Sequence, residues 1–150
     1  MQRKPRVLFL CTHNAARSQM AEGILRHLSQ GSVEVYSAGT EPSAVHPLAV
    51  RALGEMGIDI SGQRSKPVRE FAGQSFDFVA TLCDGARELC PIFPGDPERV
   101  HWGFRDPGAV TGTDEERLRA FKQTARELTA RLRPFLALVE RGVKSPSGLV

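Results

Sequence analysis

Cys11 and Arg17 are separated by five residues, and Ser18 follows directly. A loop of this length can turn its backbone N–H groups toward one centre, and a helix behind it adds free N–H donors and partial positive charge. Arg17 supplies a planar, permanently charged fork that matches two oxygens of one anion. The spacing therefore predicts a cradle for a tetrahedral oxyanion. The residues predicted to bind that anion are Thr12, His13, Asn14, Ala15, Ala16, Arg17 and Ser18.

Cys11 is the predicted nucleophile. The pKa of a free thiol is about 8.5, and a helix N-terminus or a nearby cation lowers it by one to several units. We therefore expect Cys11 to be a thiolate at neutral pH. Ser18 can donate a hydrogen bond to the sulfur, and Asn14 can hold the loop by bonding its own backbone. A loop histidine such as His13 more often packs or contacts solvent than catalyses. The alternative is a buried structural cysteine beside an ordinary surface Arg17.

Two further thiols suggest the steps that come after the first attack. Cys83 comes just after a predicted strand, so it should reach the same sheet edge as Cys11, and Cys90 lies seven residues further on. The three indicate a relay in which Cys11 takes the oxyanion, Cys83 attacks the adduct and Cys90 captures Cys83 as a disulfide. Residues 84–89 between them are expected to form a helical turn or a mobile loop. Apolar filling and a zinc site are the alternatives, although the close ligand pairs of structural zinc sites are missing.

Strands and helices alternate along the chain. This order predicts an α/β fold, a doubly wound parallel four-stranded sheet flanked by helices, whose ligands bind beyond the carboxyl ends of the strands. The strand before the loop is a continuous apolar run, which is typical of a central parallel strand. Pro134 is expected to kink the last helix, and residues 142–150 to fray. The predicted strands are 6–10, 33–37, 76–82 and 99–102, and the predicted helices are 18–28, 47–57 and 114–138.

Composition sets the outer limits. The 150 residues are 41% hydrophobic and 25% charged, which suits one domain over 1–150. No apolar run is long enough for a bilayer, so we expect a cytoplasmic protein that does not bind membranes. The net charge of +3 is spread along the chain and does not indicate nucleic-acid binding. Three cysteines, an odd number, argue against a disulfide scaffold.

Six motifs together resemble those of a single family. They are the segments 11–22, 36–39, 57–61, 81–83, 90–91 and 101–107, which contain Cys11-Thr12-His13-Asn14-Ala15-Ala16-Arg17-Ser18, Tyr36-Ser37-Ala38-Gly39 and His101-Trp102-Gly103-Phe104-Arg105-Asp106-Pro107. The chain resembles, over nearly its whole length, the thioredoxin-coupled arsenate reductases, which share the fold of the low-molecular-weight protein tyrosine phosphatases.

The resemblance implies an activity and a role for each thiol. Arsenate is reduced to arsenite: Cys11 forms the arseno-adduct, Cys83 expels arsenite, and a Cys83–Cys90 disulfide is left for thioredoxin. It also implies that Asp106 is the general acid that protonates the departing oxygen. No bound cofactor is expected, because thioredoxin supplies the electrons, and a monomer is expected.

A cation site distinguishes some members of the family. They hold potassium beside the loop with Asn, Glu, Ser and Asp side chains; Asn14, Glu22 and Ser37 match three of these, and Lys66 stands at the fourth. An ammonium there would disfavour a bound cation. We therefore expect no metal and weak or no potassium dependence, unless Lys66 points to solvent.

Two other functions remain open from the residues. The same loop and acid would hydrolyse a phosphate ester, although residues 40–45 and 106–110 offer no aromatic walls for a phosphotyrosine ring. A non-enzymatic redox or oxyanion sensor is the second alternative, and it would leave Asp106 without a task.

Overall fold

The computed structural model describes residues 3–83, 90–91 and 93–141, and the predictions for 84–89 and for the tail 142–150 lie outside them. Four parallel strands form one sheet in the order β2-β1-β3-β4. The strands are β1 Arg6–Cys11, β2 Glu34–Gly39, β3 Phe78–Thr81 and β4 Glu98–His101. The predicted four-stranded parallel sheet is confirmed.

The strand order places the predicted site. Leu10 of β1 pairs with Ala38 of β2 on one side and with Thr81 of β3 on the other. The chain goes from β1 to one side for β2 and then crosses to the other side for β3, so the order reverses between β1 and β3. Cys11 ends β1 and Cys83 follows β3 by two residues. Both thiols therefore emerge at the switch point where open α/β sheets bind ligands.

Three α-helices lie among the described residues: α1 Arg17–Ser29, α2 Pro47–Glu55 and α3 Asp114–Glu140. Thr113 and Glu116 form a capping box at the start of α3. The helix continues through Pro134, so the proline does not end it, and a kink there stays a prediction. None of the helices in the described ranges is both long and apolar enough to cross a bilayer.

The sheet separates two apolar clusters, because successive side chains of a strand point to opposite faces. Val7 and Phe9 of β1 lie in the first cluster, to which α1, α2 and α3 contribute fully buried residues such as Leu25, Leu53 and Phe121. Leu8 and Leu10 lie in the second. This second cluster also contains Phe71, Phe76 and Phe93, and both Cys11 and Cys83. The two thiols are thus held in apolar packing on the sheet face opposite the one that these helices cover.

Candidate active site

The backbone between β1 and α1 is anchored from outside. The carbonyls of Thr12, His13 and Ala15 accept N–H groups of Glu41, Ser43 and His46 at 2.8, 3.2 and 2.8 Å, and the carbonyl of Asn14 accepts the Gln19 amide at 3.0 Å. In a trans peptide the C=O and the N–H point in opposite directions. The N–H group of each peptide whose carbonyl is bonded in this way therefore points away from the residue that bonds the carbonyl. Among the described residues no side chain caps α1, which leaves its first N–H groups open. These open N–H groups lie where the sequence predicts an anion cradle.

Asn14 is the buried centre of that loop, with a left-handed φ of 50° and no exposed surface. Its side-chain N–H groups donate to the hydroxyls of Ser18 and Ser37 at 2.8 and 3.0 Å. Its side-chain oxygen accepts from the Gln19 amide and from the Lys66 backbone, both at 2.9 Å. The prediction that Asn14 bonds its own backbone is wrong. It joins the loop to α1, β2 and the segment around residue 66 instead.

Gly39, at the end of β2, is required by the close approach of the loop. A Cβ atom there would lie 2.7 Å from the Thr12 carbonyl oxygen and 2.9 Å from the Asn14 backbone nitrogen. Both neighbours are backbone atoms, and the Thr12 carbonyl is held in place by the Glu41 N–H. Only glycine leaves room for the loop in this position.

Cys11 is 3% exposed at the base of the cradle. The Arg17 guanidinium and the Ser18 backbone N–H favour the thiolate, but a hydrogen bond with Cys83 and burial outweigh them and raise the pKa of the Cys11 thiol above its ordinary value. The prediction of a thiolate at neutral pH is therefore wrong for this arrangement of the two thiols. The Ser18 contact with the sulfur also differs from the prediction, since its N–H makes it while its hydroxyl accepts from Asn14.

The structure brings the second thiol to the first. Cys83 is 9% exposed, packs in the same cluster as Cys11, and lies 3.2 Å from the Thr12 hydroxyl. Cys90 is half-buried and packs against that cluster, and its sulfur accepts a hydrogen bond from Arg99 at 2.9 Å. The topology thus delivers Cys11 and Cys83 to one place, as the strand order predicted.

A cavity of about 200 Å³ opens above the Cys11 sulfur. Arg17 lines it and donates to the Phe104 carbonyl at 3.0 Å, while its buried Nε has no partner among the described residues. A buried, unsatisfied cationic donor is suited to an anionic ligand. The residues that line the cavity are Cys11, His13, Ala15, Ala16, Arg17, Ser43, His46, Asp106 and Gly108.

Asp106 is one of the residues that line this cavity. It precedes the 3-10 helix Pro107–Ala109, and its side chain accepts from the Gly108 N–H at 2.9 Å. Its position in the turn could be read from the Asp-Pro pair, whereas its place beside Cys11 was implied only by the family resemblance. A carboxyl group here is within the same small cavity as the nucleophile, which is the position that a general acid needs.

His46 is one of three cavity residues, with Ser43 and Gly108, that the sequence pattern did not single out. Its Nδ1 accepts the Leu48 N–H at 3.1 Å and caps α2. Its ring packs against that of Phe121 at a tilt of 42°, with 4.6 Å between the ring centroids. Burial, and then Arg117, lower the pKa of His46 below 6.5, while Asp106 acts in the opposite direction. A histidine just before a proline that begins a helix was the available signal. His13, the other cavity histidine, is exposed and is positioned by the Glu41 carbonyl at 3.1 Å.

Lys66 does not point to solvent. It is 8% exposed, and its ammonium donates to the Arg64 carbonyl at 2.9 Å and lies 3.7 Å from a Glu22 carboxylate oxygen. The same oxygen accepts the Ser37 hydroxyl at 2.5 Å. Burial lowers the pKa of Lys66, and Glu22 opposes that shift. Because an ammonium already faces Glu22 here, these residues do not fit a potassium ion.

Known proteins are similar to this chain in sequence. The family model described as low molecular weight phosphotyrosine protein phosphatase matches residues 6–145. An arsenate reductase of Shouchella clausii is 46% identical over 129 residues, which cover 86% of this chain and 93% of that protein. The arsenate reductase of Bacillus subtilis is 43% identical over the same length and shares. The resemblance inferred from the six motifs is confirmed.

Solved structures of arsenate reductases and of a tyrosine phosphatase are both similar to this chain. A structure described as an arsenate reductase in the phosphate binding state has a TM-score of 0.73 and 34% identity, and covers 90% of this chain and 98% of its own. A thioredoxin-dependent arsenate reductase of Corynebacterium glutamicum has a TM-score of 0.71 and 32% identity, covering 93% and 63%. A low molecular weight protein tyrosine phosphatase of T. tengcongensis has a TM-score of 0.75 and 30% identity, covering 89% and 99%. The backbone alone therefore does not separate a reductase from a phosphatase.

Proposed function

This chain belongs to the low molecular weight phosphotyrosine protein phosphatase family, and we propose that within it the chain reduces arsenate to arsenite with electrons from thioredoxin. The observation that carries the proposal is the contact between Cys83 and Cys11 at the base of the anion cradle. Ester hydrolysis through a phospho-cysteine needs one thiol and a water molecule. A second thiol in contact with the nucleophile is what a two-electron reduction requires.

The first step joins arsenic to sulfur. Arsenate binds with its oxygens on the loop N–H groups and on Arg17, whose buried Nε has no partner among the residues that the structure describes. Cys11 passes its proton to an oxygen of the bound dianion and attacks arsenic. Asp106 gives a proton to the departing oxygen, which leaves as water. The product is a Cys11 arseno-adduct that still contains pentavalent arsenic.

The second step transfers two electrons. The Cys83 thiolate attacks the Cys11 sulfur, the sulfur–arsenic bond breaks, and its electron pair stays on arsenic, which leaves as arsenite. The short reach from Cys83 to Cys11 supports this attack. Cys90 then attacks Cys83, which frees Cys11 and leaves a Cys83–Cys90 disulfide. The two thiols of thioredoxin reduce that disulfide by exchange.

The shape of the cavity favours a small oxyanion over an aryl phosphate. It measures about 200 Å³, and none of its described lining residues is Phe, Tyr or Trp. A phosphatase side activity is still expected, because phosphate and arsenate share charge and shape. A sensor would not need an acid beside the nucleophile, and Asp106 supplies one.

Several finer predictions accompany the proposal. Dependence on thioredoxin is supported by similarity to the thioredoxin-dependent enzyme of Corynebacterium glutamicum. The single domain over 1–150, the cytoplasmic location, the monomeric state and the lack of a bound cofactor stay predictions from the sequence.

The test couples arsenate to NADPH oxidation through thioredoxin and thioredoxin reductase. Wild type is expected to oxidise NADPH only when arsenate and thioredoxin are both present. Cys83→Ala is expected to stop this turnover and to keep hydrolysis of a small phosphate ester, because Cys11, Arg17 and Asp106 remain. Hydrolysis without any arsenate turnover in wild type would identify a phosphatase, and neither activity in a folded protein would identify a sensor.

A further inference from the structure

Arg99 binds the segment that carries the third thiol, with one guanidinium nitrogen on Cys90 and the other on Pro91. Its Nη1 donates to the Cys90 sulfur at 2.9 Å, and its Nη2 donates to the Pro91 carbonyl at 3.0 Å. Arg99 lies on β4, at one end of the sheet order β2-β1-β3-β4, and is exposed. A reagent that approaches this edge strand therefore meets the guanidinium and the thiol together.

A second cavity, of about 380 Å³, opens beside this pair. Its described lining residues include none of those that line the cavity above Cys11. His101 and Thr81 form its polar wall, and their side chains are 2.8 Å apart. The residues lining it are Val79, Thr81, Cys90, Arg99, Val100 and His101.

The contact brings a permanent positive charge to the Cys90 sulfur, whose S–H donates to the Pro91 carbonyl at 3.6 Å. A guanidinium only donates hydrogen bonds and stays charged, so the Cys90 sulfur is the acceptor. Such a bond is strongest when the acceptor is ionised. An arginine that only fixed the chain would need the Pro91 carbonyl alone. Here one branch is placed on a sulfur that can react.

We propose that Arg99 is a catalytic residue for thiol–disulfide exchange at Cys90, and that it directs anionic thiol reagents to this sulfur. The inference rests on the proposed relay. In recycling, an incoming thiolate attacks the Cys90 sulfur, the bond to Cys83 breaks, and Cys83 leaves as a thiolate. Negative charge is then spread over three sulfurs, and the guanidinium, which contacts the central one at 2.9 Å in the free thiol, is placed to stabilise it.

The test measures charge selectivity at Cys90 alone. In the background Cys11→Ser/Cys83→Ser, Cys90 is the remaining cysteine, and its alkylation rates with anionic iodoacetate and neutral iodoacetamide are compared. Both reagents consume the same thiolate, so their rate ratio is independent of how much of it is ionised. Arg99→Met is expected to lower the iodoacetate-to-iodoacetamide ratio about fivefold, the scale of one exposed charge interaction. Arg99→Lys is expected to restore part of it.

Arg51→Met is the matched control, because Arg51 lies on α2, which packs against the opposite face of the sheet. Its ratio should equal that of the parent. An unchanged ratio in Arg99→Met, with an unchanged melting temperature, would overturn the proposal, as would an equal fall in Arg51→Met. This assay contains no arsenate, so its outcome does not depend on whether the chain reduces arsenate.

The exchange step is tested in Cys11→Ser after oxidation to the Cys83–Cys90 disulfide. Thioredoxin is expected to reduce this disulfide about fivefold more slowly when Arg99→Met is added, again the scale of one exposed charge, and Arg99→Lys should recover part of the rate. Equal rates in the methionine variant and its parent would overturn the catalytic role. The Arg51→Met control should match the parent here also.

Discussion

The Thr12 hydroxyl and the Cys83 sulfur lie 3.2 Å apart. Thr12 is the first residue after Cys11, so the loop proposed to bind the oxyanion contacts the thiol proposed to expel the product. This contact exists because β1 and β3 are neighbours and release their chains at the same edge of the sheet. Binding and reduction are therefore carried by adjacent strand ends.

Replacing Cys83 should make Cys11 more acidic. The hydrogen bond with Cys83 is the largest cause of the raised pKa of Cys11, so Cys83→Ala is expected to lower that pKa and to increase the thiolate fraction at a given pH. The measurement is the pH dependence of thiolate ultraviolet absorbance in a Cys90→Ser background, with and without Cys83→Ala. An unchanged or higher pKa in the double variant would show that burial alone controls Cys11.

The same shift has a consequence for stability. A thiol with a raised pKa in the folded state keeps its proton to higher pH than in the unfolded chain. Its contribution to stability is therefore complete below the pKa of a free thiol, about 8.5, and is lost as pH rises above that value. The free energy of unfolding of Cys90→Ser should therefore fall as the pH rises above about 9. The fall should be smaller in Cys83→Ala/Cys90→Ser, as urea titrations at several pH values would show.

A methyl group at Gly39 should displace the loop. Gly39→Ala places a Cβ 2.7 Å from the Thr12 carbonyl oxygen, and overpacking against fixed atoms costs about 1–3 kcal/mol. We expect a lower free energy of unfolding and a lower kcat/KM for arsenate. Gly54→Ala on α2 is the control, since its Cβ meets nothing within 4 Å and should stabilise the helix by about 0.5–1 kcal/mol. Equal stability of the two variants would refute the close approach.

The loop and its neighbourhood were accessible from the sequence because they depend on chain order. A buried strand, a short loop with Cys11 and Arg17, and a helix predict the cradle, and parallel strand ends predict that Cys83 is near. The protonation of Cys11 was not accessible, since the hydrogen bond with Cys83 and the depth of burial are tertiary properties. For the same reason the sequence placed Asn14 in the loop but not its bonds to Ser18 and Ser37.

His46 should make the protein less stable in mild acid. Its pKa is lowered by burial and by Arg117 on α3 more than Asp106 raises it, so the unfolded chain binds the proton more readily. The corresponding stability is present above pH 6.5 and is lost as pH falls below it. Protonation of Nδ1 also removes the acceptor of the Leu48 N–H.

His46→Asn is the informative variant, because asparagine is a good N-cap and does not titrate. The loss of stability between about pH 7 and pH 5 should be smaller in this variant than in wild type, measured by urea unfolding at fixed ionic strength. His27→Asn is the control, since His27 is an exposed residue on α1. Identical pH slopes for wild type and His46→Asn would exclude His46 as the source.

Lys66 should make the enzyme indifferent to potassium. Its ammonium lies 3.7 Å from Glu22, where a second cation would meet like charge, so exchanging sodium for potassium at constant ionic strength should leave kcat and KM for arsenate unchanged. Lys66→Asp should reverse this. The aspartate would place a second buried carboxylate beside Glu22, which is unfavourable unless a cation compensates for it.

We therefore expect Lys66→Asp to have a lower melting temperature than wild type in sodium chloride and to recover part of the loss in potassium chloride. Lys66→Met separates cation binding from loss of charge, since it removes the ammonium without supplying a ligand, and its melting temperature should be the same in both salts. Arg26 keeps Glu22 partly compensated in all three proteins through its 2.7 Å ion pair. A clear potassium activation of wild type would show that the ammonium of Lys66 does not exclude the ion.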